Sequence, residues 1–188
     1  LDIDLTDLRH EPSVGGIVLN ARDITVRKAL ERDLRYQATH DTLTGLPNRS
    51  MFTHETGAAL RKAGPRSVSV GALFVDLDDF QTVNDSLGHA VGDTLLQQVA
   101  ERLRTTLPKH TLAARLGGDE FAVLVDDADD EHGALAVADK VIAVVAEPFF
   151  IDGREIRVTC SIGIALGSGA DTDAEVLLAI GILTVLFM

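Results

Sequence analysis

Two clusters of carboxylates, each at the end of an apolar strand-like run, carry the chemistry that this chain's residue types allow. The first is Asp119-Glu120, preceded by Arg115-Leu116-Gly117-Gly118 and followed by Phe121. Leu112–Leu116 and Phe121–Val125 flank it, so the two glycines stand where a hairpin must reverse, and glycine accepts the positive φ such a turn requires. No lysine or arginine stands between the acids. On this stretch alone a solvated turn and a metal site are equally good readings. The second cluster, Asp76-Leu77-Asp78-Asp79 before Phe80, ends the mostly apolar run Val68–Val75. Carboxylates at the exit of a buried strand are costly to desolvate unless something positive meets them. With a period of two, Asp76 and Asp78 share a face and Leu77 points away. Alone, this cluster reads more readily as an Asp-rich loop capping the next helix. Together the two clusters favour a hard divalent cation holding a polyphosphate, because magnesium takes a few carboxylates and leaves its other positions to water and phosphate.

The elements that must position these acids follow from periodicity and turn chemistry. Glu11–Gly16 reads as a turn, and Gly16–Arg22 as a strand ending in Asp23-Ile24-Thr25. Val26–Ala38 reads as a charged helix with Val26, Leu30, Leu34 and Ala38 on one stripe. That stripe suits either packing on its own domain or pairing with its copy in a dimer, and so few heptads do not decide. Asn48, after Gly45-Leu46-Pro47, is an N-cap opening a helix to about Ala63. A strand over Val68–Asp78, a helix over Ala90–Leu107 and an acidic hairpin over Leu112–Asp126 follow. Then come a helix over Glu131–Ala146 and a hairpin of Phe149–Ile151 with Ile156–Ala165 around Asp152-Gly153. A last helix starts near Asp173. Helices on one face of a mainly antiparallel sheet make an α+β fold.

Composition narrows the function classes. At 188 residues and 46% hydrophobic, the chain can hold one full domain plus a fragment of another. A net charge of −12 argues against general binding to nucleic acid or anionic membranes. Cys160 is the single cysteine, so neither an intrachain disulfide nor a cysteine zinc cluster is possible, and its apolar strand pattern reads as a buried small hydrophobe. The opening residues do not read as a secretory signal, and the uncharged run Val176–Met188 is shorter than the ~20 residues a membrane helix needs. The expected compartment is the cytoplasm.

Five segments in order resemble the GGDEF domain, the diguanylate cyclase family that makes cyclic di-GMP from two GTP. They are His40–Arg49, Phe74–Phe80, Asn84–Asp93, Gly117–Phe121 and Ser161–Ala165. The resemblance implies a palm-like, nucleotidyl-cyclase-like α+β fold with a mainly antiparallel central sheet flanked by helices. It implies that Asp76 and Asp119, with the carbonyl of Leu77, bind Mg²⁺ or Mn²⁺. Glu120 would complete that site or help deprotonate the attacking hydroxyl, so Asp119 and Glu120 are the implied catalytic pair. Recognising guanine takes an amide for O6 and a carboxylate for N1 and N2. Asn84 and Asp93 stand where the family places those two types, although alone each reads more readily as a helix cap. Gly88 and Gly92 keep the loop slim. His89 would order that loop, with a plain helix-start residue nearly as good a reading. The N–H groups of Asp79 and Phe80 would meet the β- and γ-phosphates.

One such domain holds one GTP, so turnover would need a homodimer. Residues 1–25 resemble the end of a PAS sensor domain, which the chain would enter part-way, with 26–40 a signalling linker and 41–188 the GGDEF domain. The alternative is a catalytically weak, GTP-binding regulatory module beside an EAL phosphodiesterase domain. Three departures stand out. Gln81 replaces the family's usual Lys, and Pro108-Lys109-His110-Thr111 replaces an Arg-x-x-Asp inhibitory site, so none is expected here. Ile180–Met188 replaces a Tyr-x-Ala-Lys-type helix and has the character of an altered or truncated end.

Overall fold

The computed structural model describes residues 2–10, 12–13, 16–63, 69–128 and 131–167, together with Ala174, Glu175 and Leu177. It divides into two units, Leu1–Ala38 and Thr39–Met188. In the first unit β1 (Asp2–Leu8) pairs antiparallel with β2 (Gly16–Arg22), Leu5 opposite Leu19. Asp23 then accepts hydrogen bonds from the Thr25 amide (2.9 Å) and hydroxyl (2.6 Å), which starts α1 (Thr25–Thr39). The stripe Val26, Leu30 and Leu34 is exposed, and α1 buries none of its residues.

The second unit runs α2 (Arg49–Ala63), β3 (Ser69–Leu77), α3 (Phe80–Leu87), α4 (His89–Thr106), β4 (Thr111–Gly117), β5 (Glu120–Ala128), α5 (Glu131–Ala146), β6 (Phe149–Ile151), β7 (Arg154–Ile156) and β8 (Cys160–Gly167). The central sheet has the order β4-β5-β3-β8, with every pairing antiparallel. Leu73, Val75 and Leu77 on β3 pack with Leu95, Val99 and Leu103 of α4 and Val137 and Val141 of α5. Val70, Ala72 and Phe74 point the other way, against Phe52 and Leu60 of α2. Helices therefore cover both faces rather than one. A strand apolar at successive positions cannot leave either face in water. Asn48 accepts the Met51 amide (3.0 Å) and caps α2 as its residue type implies.

Two further expectations change. Residues 80–87 form a helix of their own that the sequence reading did not assign, and it takes in the start of the expected base-binding segment Asn84–Asp93. Phe80 is buried and Val83 and Leu87 pack partly buried against the core, an i, i+3, i+7 stripe that spans barely two turns and is easily missed in eight residues. Ile156–Ala165 is not one strand: β7 ends at Ile156 and β8 begins at Cys160. Asp78 fixes that break, because its N–H donates to the Thr159 carbonyl and its carboxylate accepts the Thr159 and Ser161 hydroxyls. Cys160 is half-buried against the core, and burial together with nearby Asp78 pushes its thiol up to about 12. Ala174, Glu175 and Leu177 are helical, where a last helix is expected. The uncharged end Ile180–Met188 lies outside the described residues.

Candidate nucleotide and metal site

The register of the sheet assembles the acids. Asp76 stands opposite Glu120 of β5 on one side and Ser161 of β8 on the other. Gly117 pairs with Glu120, which leaves Gly118 and Asp119 at the tip of the hairpin. Gly117 and Gly118 have φ of 144° and 53°, and a Cβ at either would meet nothing within 4 Å. Their need for glycine is conformational, not steric. Asp76 is half-buried. Burial, then the charges of Asp119, Glu120 and Asp78, push its carboxyl up to about 6. Asp78 lies near but is engaged by the Thr159 (2.5 Å) and Ser161 (2.8 Å) hydroxyls. The Leu77 side chain is buried in the core, so a ligand can meet only its backbone.

The chain then turns through Asp79, whose φ of 57° is unusual for a residue other than glycine. The Asp79 side chain makes no cap hydrogen bond at the N-terminus of α3, and the Asp79 carbonyl takes the amides of Thr82 and Val83. The first amides of a helix have no intrahelical partner and face an anion well. Gly88, with φ of 90°, ends α3 and leads into α4 at His89. Asn84 of α3 lies directly on Gly92 of α4, the residue before Asp93. His89 and Asp93 are exposed.

Sequence reasoning assigned no role to Arg115, Asp41 or Arg49, and the structure gives each one. The Arg115 Nη1 donates to Asp41 (2.9 Å), and its Nε and Nη2 donate to the Gly118 carbonyl (3.1 and 2.7 Å). Burial pushes the Asp41 carboxyl up, but the Thr44 hydroxyl and amide and the Arg115 guanidinium outweigh it and hold it below its ordinary value. The Arg115 amide also donates to the Pro47 carbonyl (2.9 Å). Arg49, on α2, lies 3.7 Å from Glu120. The signal in the sequence is an arginine two residues before the paired glycines, close enough to reach back over the turn.

Among the described residues no three His, Cys, Asp or Glu side chains form a closed metal cage. Magnesium does not need one, since it binds through one or two carboxylates and keeps water and phosphate as its other ligands. Like charges crowded around a half-buried Asp76 fit such an ion.

The family model of the diguanylate cyclase GGDEF domain matches residues 38–180. The chain belongs to the GGDEF family. The diguanylate cyclase TpbB of Pseudomonas aeruginosa is 45% identical over 146 residues, 77% of this chain and 34% of that protein. The bifunctional diguanylate cyclase/cyclic di-GMP phosphodiesterase MucR of the same species is 41% identical over 138 residues, 73% of this chain and 20% of that protein. The chain thus spans about a third or less of these relatives. The structure of an N-terminally truncated TpbB from Pseudomonas aeruginosa that comprises only the GGDEF domain superposes with a TM-score of 0.73 at 41% identity, covering 79% of this chain and 87% of that one.

In this GGDEF domain the segment 108–111 closes on itself. The Thr111 amide and hydroxyl both donate to the Pro108 carbonyl (3.0 and 2.6 Å). A groove of about 320 Å³ adjoins it, lined by Glu55, Lys62, Lys109, His110, Thr111 and Asp126 among others, with no arginine among the described residues. Lys62 is paired with Asp126 at 2.9 Å. Among the described residues no helix is long and apolar enough to cross a membrane.

Proposed function

We propose that this GGDEF domain is one half-site of a cytoplasmic diguanylate cyclase, in which two copies each hold one GTP and together form cyclic di-GMP. The observation that carries this reading is the meeting of Asp76 with the Asp119-Glu120 turn beside the start of α3. The 3′-hydroxyl of one GTP forms a bond to the α-phosphorus of the other, and the bond from that phosphorus to the bridging oxygen of the β-phosphate breaks, releasing pyrophosphate. Asp76, Asp119 and the Leu77 carbonyl would hold Mg²⁺ or Mn²⁺, which when bound neutralises phosphate charge and lowers the pKa of the hydroxyl. Glu120 completes the acid cluster and accepts the hydroxyl proton. The amides of Asp79 and Phe80 receive the β- and γ-phosphates. Asn84 donates to guanine O6, Asp93 accepts from N1 and N2, and His89 orders the turn between α3 and α4.

In this reading residues 1–25 end a PAS sensor domain, and α1, whose exposed stripe suits pairing with its copy, passes its signal to the dimer. A second reading, a GTP-binding regulatory module beside a phosphodiesterase domain of the EAL type, draws support from Gln81 and from the likeness to the bifunctional MucR. Incubation with GTP and Mg²⁺ followed by chromatography separates the two. The first expects cyclic di-GMP, lost in Asp119→Ala and Glu120→Gln. Mg²⁺-dependent GTP binding without product selects the second, and equal affinity for GTP with and without Mg²⁺ sinks both.

A further inference from the structure

We infer that Gly92 is a positioning residue for base selectivity, because its missing side chain is the seat in which the Asn84 carboxamide lies. The inference rests on the reading of Asn84 as a guanine contact. Gly92 is buried within α4, where alanine would serve the helix better than glycine. Its backbone is not among the positive-φ glycines, so conformation does not require glycine there. Space does. A Cβ at Gly92 would stand 2.0 Å from the Asn84 Oδ1, 3.0 Å from its Cγ and 3.2 Å from the Phe80 Cζ. Gly88 is the contrast: its φ is 90° and a Cβ there would meet nothing within 4 Å.

The consequence is directional. With Oδ1 seated against Gly92, the NH₂ is the end of the carboxamide left outside that seat and offers a donor. A donor suits the keto oxygen of a 6-oxopurine and repels the 6-amino group of adenine. Of the groups crowding Gly92, the Phe80 ring is buried in the core, whereas the Asn84 carboxamide is the free end of a half-buried side chain. A methyl group at 92 therefore displaces the amide first. Gly92 selects the base without touching it.

The test uses the full chain with Mg²⁺ and compares GTP, ITP and ATP binding in Gly92→Ala, Asn84→Ala and the double variant. Gly92→Ala should weaken GTP and ITP by about tenfold or more and leave ATP unchanged, and the double variant should be no worse than Asn84→Ala. Equal losses for all three nucleotides, or additive losses in the double variant, overturn the inference. If Gly92→Ala fails to fold, a folded double variant supports the seat and an unfolded one overturns it. The Asn84 side-chain amide resonance, read without nucleotide, should move in Gly92→Ala; an unmoved resonance also overturns the seat. If Asn84→Ala binds GTP like the unsubstituted chain, the base-contact reading itself fails, and the amide resonance still decides whether Gly92 seats the side chain.

Discussion

Asp76 and Asp41 are carboxylates of one domain driven in opposite directions. The Asp76 carboxyl is raised from 3.8 to about 6, first by burial and then by Asp119, Glu120 and Asp78. Between those values the folded chain binds more protons than the unfolded one, so this group's contribution to stability falls as pH rises from about 4 to about 6. Asp41, held low, contributes stability above its unfolded value that is lost as pH falls below about 4. We predict that Asp76→Asn stabilises the metal-free protein near neutral pH by about 1–2 kcal/mol, after allowance for partial exposure. The same variant should lose most Mg²⁺-dependent GTP affinity. Urea titrations in chelator across pH 4–7 isolate the effect as the difference between the two chains. A constant difference over that range would show that Asp76 is not strained by its neighbours.

Elements hold that strained carboxylate in place, and the hairpin tip depends on a strap outside it. Arg115 ties the Gly118 carbonyl to Asp41, so the turn bearing Asp119 is fastened to the segment that opens the domain. Arg115→Ala would leave a partly buried Asp41 without its cation and Gly118 without two donors. We predict a loss of about 2–4 kcal/mol and a raised KM for GTP. Arg115→Lys restores the charge but not the fork, so it should recover only part of both. Full recovery by lysine in thermal melts would mean that charge alone matters. At the tip itself, Gly118→Ala should cost about 1–2 kcal/mol, since φ is 53° and no neighbour blocks the methyl. A neutral effect would place the turn's need for glycine elsewhere.

Across the whole molecule the question is which charges meet the triphosphate. Position 81 is Gln and residues 180–188 carry no cation, so neither of these places supplies a positive charge to the β- and γ-phosphates. Charge-assisted contacts contribute about 1.5–3 kcal/mol each, so replacing 180–188 with a Tyr-x-Ala-Lys-type helix should strengthen GTP binding by roughly a hundredfold. A chimera that binds GTP no better would clear the tail of blame. On the other side of the domain, the groove beside Pro108–Thr111 offers Lys62 already paired to Asp126 and, among the described residues, no forked arginine of the kind cyclic dinucleotides need. Cyclic di-GMP should not bind there at submicromolar concentration. Amide chemical shifts centred on 108–111 at such concentrations would reverse that view.

The sequence by itself was sufficient for α2, α4, α5 and the acidic hairpin, because caps, apolar stripes and paired glycines act over a few residues. It also named the acids at both strand ends, since a carboxylate after a buried run is conspicuous wherever the chain later goes. Tertiary structure alone decided what those acids meet. Asp76 and Glu120 are far apart along the chain and become partners through strand register, as do Arg115 and Asp41 through packing. The stripe Phe80, Val83 and Leu87 of α3 spans barely two turns and takes its meaning from the core it meets, and the break between β7 and β8 is set by Asp78 reaching Thr159 and Ser161. The two-sided cover of the sheet and the fit of Asn84 on Gly92 likewise arise only when distant segments compete for the same space. Local signals act through bonds along the chain, whereas register and volume exclusion act across it.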